Sequence, residues 1–154
     1  MVTSTIAISG SRKTGHRRQE EYDRLFEEFL GPFATDQAQV YIGGAIGIDS
    51  LALTWLVDRT AANIVVAAPG TVEQQPDEAK ATITQALRSQ RVKVVELAHP
   101  DFPSATAYHA RNRWMVDRAQ LLIAFPHGDD PSSGTWYTIR YATDQTKPRL
   151  IVPI

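Results

Sequence analysis

Six short apolar runs, rich in β-branched residues, recur along the 154-residue chain with amphipathic stretches between them. They are Thr5-Ile6-Ala7-Ile8-Ser9, Val40-Tyr41-Ile42, Ile64 to Ala68, Val92 to Leu97, Leu121 to Phe125, and Leu150-Ile151-Val152. None alternates with polar residues, so each reads as a strand buried on both faces, as strands of a parallel sheet are. Between the first two runs, Tyr22, Leu25, Phe26, Phe29 and Leu30 fall at helical spacing, and Gly31-Pro32 supplies the stop. Ile48, Leu51, Ala52, Trp55 and Leu56 repeat the pattern, and Ala79, Ile83, Ala86 and Leu87 do so more weakly. Ala107, Ala110, Trp114, Met115 and Ala119 mark a fourth helix, with a fifth over 135–146. Strict alternation of strand and helix predicts an α/β fold: an open, doubly wound, mainly parallel six-stranded sheet with helices on both faces. No repeat or linker interrupts it, so residues 1–154 read as a single domain.

Composition narrows the chemistry. The chain has no cysteine, which excludes disulfides, thiolate nucleophiles and Cys-ligated zinc, and its four histidines show no HxxxH spacing. Neither a metal nor a cofactor is therefore expected. No apolar run approaches the roughly 20 residues of a membrane span, so no membrane partner is expected. Met1-Val2-Thr3 runs straight into the first apolar run without a signal-peptide pattern, and the expectation is a cytoplasmic protein. With 16 Lys+Arg against 17 Asp+Glu, the formal net charge of −1 argues against coating nucleic acid by bulk electrostatics.

The glycines concentrate at one edge. Of the nine, only Gly31 ends a helix; the rest, Gly10, Gly15, Gly43, Gly44, Gly47, Gly70, Gly128 and Gly134, follow predicted strands. They collect at the carboxyl edge of the sheet, where doubly wound folds bind ligands and helix N-termini point N–H groups at anions. Turn geometry alone would explain part of this, but Gly43-Gly44-Ala45-Ile46-Gly47 is denser than a turn needs.

Charge collects there too. Ser9-Gly10-Ser11-Arg12-Lys13-Thr14-Gly15-His16-Arg17-Arg18 carries four cations and no acid. Its glycines have P-loop spacing, but His16 and Arg17 stand where Lys and Ser/Thr are required, and GxGxxG is absent from both glycine loops. What remains is a basic, glycine-bearing turn suited to phosphate, or a solvated helix start. Asp49, early in the second helix, suits either an N-terminal carboxylate or a working group. Arg111, Asn112 and Arg113 read as the first turn of the fourth helix, where cations oppose the helix dipole and a functional reason is expected. Ser133, Gly134 and Thr135 open the fifth helix as an anion site or a plain cap. Trp55 and Trp114 read as packing residues, while Trp136 or Tyr137 could stack on a base or serve an interface between subunits.

In this order, Ile8-Ser9-Gly10-Ser11-Arg12, Gly43-Gly44-Ala45-Ile46-Gly47-Ile48-Asp49, Arg111-Asn112-Arg113 and Ser133-Gly134-Thr135-x-x-Thr138-x-x-x-Ala142 resemble the DNA-processing Smf/DprA family across nearly the whole chain. That family belongs with the LOG-type phosphoribohydrolases in a wider Rossmann-like group that handles nucleotides or nucleic acid. The resemblance implies a Rossmann-like fold, a phosphate-binding carboxyl edge and homodimers or higher homo-oligomers. Two departures matter. Thr138 stands where the LOG-type glutamate would assist glycosidic cleavage, and it supplies no carboxylate to an oxocarbenium-like transition state. DprA proteins of the usual kind also carry flanking modules, whereas this sequence stops just after its sixth strand.

The expectation is a non-enzymatic protein that binds a nucleotide or single-stranded nucleic acid. Ser9, Gly10, Ser11, Arg12, Lys13, Arg17 and Arg18 would meet phosphates, and Gly43, Gly44 and Gly47 would allow close backbone approach. Arg111 and Arg113 would close the site, Asp49 and Asn112 would orient loops or a sugar, and Ser133, Gly134 and Thr135 would hold a second phosphate. The alternatives are a LOG-like nucleoside 5′-monophosphate phosphoribohydrolase, with Asp49, Asp129 or Asp130 as its carboxylate, and a nucleotide-signal sensor. Six of the 16 positive charges (Arg12, Lys13, Arg17, Arg18, Arg111, Arg113) map to the ligand edge, which turns apparent neutrality into polarity.

Overall fold

The computed structural model describes residues 4–154. Met1, Val2 and Thr3, read above as leading into the first strand, lie outside the described residues. Strands β1 (Thr5–Gly10), β2 (Gln39–Gly43), β3 (Asn63–Pro69), β4 (Val92–Leu97), β5 (Leu121–Phe125) and β6 (Arg149–Ile151) alternate with helices α1 (Gln19–Phe29), α2 (Ile48–Arg59), α3 (Asp77–Ala86), α4 (Ala105–Arg118) and α5 (Gly134–Asp144). The six strands form one sheet in the order β4-β3-β2-β1-β5-β6. Every described pairing is parallel, so the mainly parallel sheet expected from the sequence is wholly parallel.

Two cores explain the sequence pattern. On one face, Ile6, Ile8, Val40, Ile42, Ile64 and Val66 of the sheet pack against Tyr22 and Phe26 of α1, Leu53 and Leu56 of α2 and Ile83 of α3. On the other, Ala7, Tyr41, Ala67, Leu122 and Ala124 pack against Met115 and Val116 of α4 and Ile139 and Ala142 of α5. Three of the five sheet residues on the second face, Ala7, Ala67 and Ala124, are alanines. Trp55 is buried in the first core, and Trp114 packs edge-on against Tyr41 beside the second.

Winding runs outward from β1 through β2 and β3 to β4. The chain then returns across the sheet, and β5 pairs with the free side of β1, Ser9 facing Ala124 and Gly10 facing Phe125. The direction of winding thus reverses between β1 and β5. Loops leaving the two strands diverge to opposite faces there and open a crevice at their carboxyl ends.

Helix α4 begins earlier than the sequence suggests. Ser104 caps it by accepting a hydrogen bond from Ala107 N (3.2 Å), so Arg111 and Arg113 lie in the middle of the helix, not in its first turn. The dipole argument for those two arginines therefore fails, because the effect fades beyond the first turn. Arg111 owes its interest to burial instead.

Candidate functional site

A cleft of about 560 Å³ occupies the β1/β5 crevice. The loop after β1 forms one wall. Its backbone is pinned at its start, since Ser11 N donates to Phe125 O (3.1 Å) and Ser11 O accepts from Ile48 N (2.9 Å). Gly47, with φ +80°, is what permits this closeness: a Cβ there would stand 2.5 Å from Ser11 O and 2.6 Å from Arg12 Cα. The Arg12 guanidinium lies over the Tyr108 ring, 4.5 Å from its centroid, a cation–π contact that holds the charge at the cleft. Lys13 borders the same space. His16 stacks on His127 at 3.9 Å and so ties this loop to the one after β5.

The second wall is one stripe of α4: Ala105, Tyr108, Asn112 and Met115 recur at helical spacing along the cleft. Arg111 and Asn112 are buried, and Arg111 Nε donates to Asn112 Oδ1 (2.7 Å) while Nη1 donates to Ala67 O (3.0 Å). Asp49 shares the cleft floor. Its carboxylate is buried and accepts from Ala45 N at 3.3 Å. Burial pushes its pKa up to about 6, against the opposing pull of the Arg111 guanidinium, the Ala45 amide and Arg12. Burial likewise lowers the pKa of Arg111, which the Asp49 charge partly offsets.

The third wall is the start of α5. Ser133 Oγ accepts from Trp136 N (3.1 Å) and caps the helix. The amides of Gly134 and Thr135, which have no intrahelical acceptor, sit at the cleft. Asp130 Oδ1 accepts from both Ser132 N (2.9 Å) and Ser132 Oγ (2.7 Å), bonds that lower its pKa and fix the loop ahead of the helix.

Of the residues singled out from the sequence, Ser9, Gly10, Ser11, Arg12, Lys13, Asp49, Arg111, Asn112, Ser133, Gly134 and Thr135 line this one cleft. Gly43, Gly44 and Gly47 work behind it. A Cβ on Gly43 would meet Arg111 Nη1 at 2.5 Å and Asp49 Oδ2 at 2.6 Å, and one on Gly44 would meet Ile83 Cδ1 at 2.7 Å. These glycines therefore bring protein groups together; they do not border the cleft. Arg17 and Arg18 lie outside it, and Arg18 pairs with Glu21 (3.5 Å) at the start of α1, where Glu20 and Glu21 satisfy the helix dipole. Arg113 is also outside it, donating to Tyr137 Oη (2.6 Å). Thr138 is buried and its hydroxyl donates to Gly134 O (2.8 Å) within the helix, away from the cleft. Sequence reasoning missed Tyr108, His109, His127 and the 103–105 segment. The helical stripe through Tyr108, Asn112 and Met115 is the signal that could have found the first, and His109 lies three residues before Asn112 on the same side.

A family model described as DNA recombination-mediator protein A matches residues 1–154. Two solved structures share the fold. One is DNA processing protein A from Helicobacter pylori, described for its unique mode of binding single-stranded DNA. It is 22% identical, with a TM-score of 0.71 over 99% of this chain and 66% of that one. The other is DprA from Streptococcus pneumoniae, 11% identical, with a TM-score of 0.59 over 97% of this chain and 59% of that one. This chain thus spans less than two thirds of the length of either solved protein. No curated protein matches it. The chain belongs to the DNA recombination-mediator protein A family.

Proposed function

We propose that this protein binds single-stranded nucleic acid, seating the phosphates of a short stretch of strand in the cleft at the carboxyl edge of β1 and β5. The observation that carries this reading is convergence. Arg12 and Lys13 from the first loop and Gly134 and Thr135 at the N-terminus of α5 line one and the same cleft. Arg12 and Lys13 hold the strand by charge, and Gly134 and Thr135 N–H groups with the Thr135 hydroxyl receive a second phosphate. Arg111 acts from below as a buried positive charge that is already hydrogen-bonded and so requires no reordering on binding. The Helicobacter relative, which binds single-stranded DNA, supports a strand as the ligand.

Fluorescence anisotropy with a labelled oligothymidylate tests the assignment. Arg12→Ala combined with Lys13→Ala is expected to weaken binding roughly tenfold or more. Unchanged affinity would place the strand elsewhere.

A further inference from the structure

Two aromatic rings beside the phosphate-binding cleft are stacked face to face with no partner role in either core. The His109 imidazole and the Tyr137 phenol lie 3.7 Å apart with planes inclined by only 7°. His109 projects from α4 and borders the cleft, whereas Tyr137, from α5, does not. The phenol is itself held in place, since Arg113 Nη1 donates to its hydroxyl at 2.6 Å. Arg113 thus orients Tyr137, and Tyr137 orients His109.

Resting on the reading of the cleft as a strand-binding site, we propose that His109 is the platform on which one base of the bound strand stacks, with Tyr137 as its rigid backing. The placement suits a single nucleotide. Tyr137 lies one helical turn beyond the capped N-terminus at Ser133, a rise of about 5.4 Å, so a phosphate on the Gly134 and Thr135 amides and its own base on His109 are neighbours. Burial, together with the Arg113 and Arg140 guanidiniums, lowers the His109 pKa and so favours the neutral imidazole. Because the ring is already fixed on Tyr137, stacking costs little side-chain entropy. Every base has a π-face, so this contact adds affinity without reading sequence. Trp136, the other aromatic at this turn, is occupied differently: its indole Nε1 donates to Gly128 O (2.9 Å).

The test compares oligothymidylate with an oligonucleotide of equal length carrying abasic positions, on wild type, His109→Ala, His109→Phe and Arg12→Ala. Thermal unfolding checks that each variant is folded. His109→Ala is expected to weaken oligothymidylate binding roughly 5- to 150-fold, the usual worth of one stacked base. His109→Phe keeps a flat ring and should restore most of the affinity. The abasic strand should bind wild type more weakly and be indifferent to His109→Ala. Wild-type affinity in His109→Ala would overturn the proposal, as would a His109→Phe variant as weak as His109→Ala, or equal losses on both strands. Arg12→Ala separates this failure from that of the cleft itself: if it weakens binding while His109→Ala does not, the cleft stands and the platform falls.

Discussion

Arg111 and Asp49 both crowd in on Gly43, whose missing side chain leaves room for a guanidinium nitrogen and a carboxylate oxygen, 2.5 and 2.6 Å from where a Cβ would be. Both residues are buried at the floor of the cleft. An ionised carboxylate beneath the proposed phosphate site would oppose the ligand, and Arg111 is the charge that limits this cost. The pair sets the potential of the cleft from below, while Arg12 and Lys13 set it from the mouth.

Asp49 should make stability depend on pH. Its pKa rises from 3.8 to about 6 on folding, so the folded protein holds this proton more tightly than the unfolded chain. The resulting stabilisation is fully present below pH 3.8 and is lost as pH rises through 6. The displacement corresponds to roughly 3 kcal/mol. Urea unfolding of wild type and Asp49→Asn across this range is expected to show wild type losing about that much relative to the variant as pH rises. Parallel pH profiles for the two proteins would remove Asp49 from this role.

Gly47→Ala should disrupt the first loop. The residue sits at φ +80°, and its Cβ would collide with the Ser11 and Arg12 backbone, which has no flexible end to move aside. Strain and overpacking together are expected to cost about 2–4 kcal/mol in chemical denaturation. A loss below 1 kcal/mol would show that the loop relaxes easily.

Gly134→Ala separates stability from function. Apart from its chain neighbours and its own helix backbone, no atom of the described residues lies within 4 Å of a Cβ at this position, and no left-handed backbone is involved. The substitution should therefore stabilise the fold by about 0.4–1 kcal/mol through the unfolded chain. The same methyl group would project beside the amides proposed to receive phosphate, so strand affinity should fall. A variant that is both more stable and fully competent to bind would show that no ligand approaches the N-terminus of α5.

The inner strands are legible because residues such as Ile64 to Ala68 are largely buried and leave an uninterrupted apolar run, whereas the edge strands β4 and β6 are mostly half-buried or exposed, contrary to the expectation of burial on both faces. The hydrogen-bond ladder extends β2 and β3 by one residue at each end, to Gln39, Gly43, Asn63 and Pro69, where hydropathy gives no signal. The start of α4 is hidden for a different reason. Ala105 and Thr106 are exposed, so the helix has no apolar stripe there, and only the Ser104 cap marks where it begins. Counted from the Ser104 cap, Arg111 lies past the first turn, and Tyr108 and Asn112 fall one turn apart along the cleft. Glycines had the reverse difficulty. Their clustering at one edge is plain from the sequence, but only side-chain geometry shows that Gly43 makes room for Arg111 and Asp49 while Gly134 borders open space.

Arg12 and Lys13 are the side chains proposed to meet the phosphates of a strand. The most direct measurement is the salt dependence of oligothymidylate affinity for wild type and for the Arg12→Ala, Lys13→Ala double variant. Each single-strand phosphate neutralised contributes about 0.7 to the slope of log K against log salt. The double variant is expected to bind more weakly and with a slope shallower by about 1.4. An identical slope in both proteins would contradict the assignment, because these two side chains would then release no counterions from the strand.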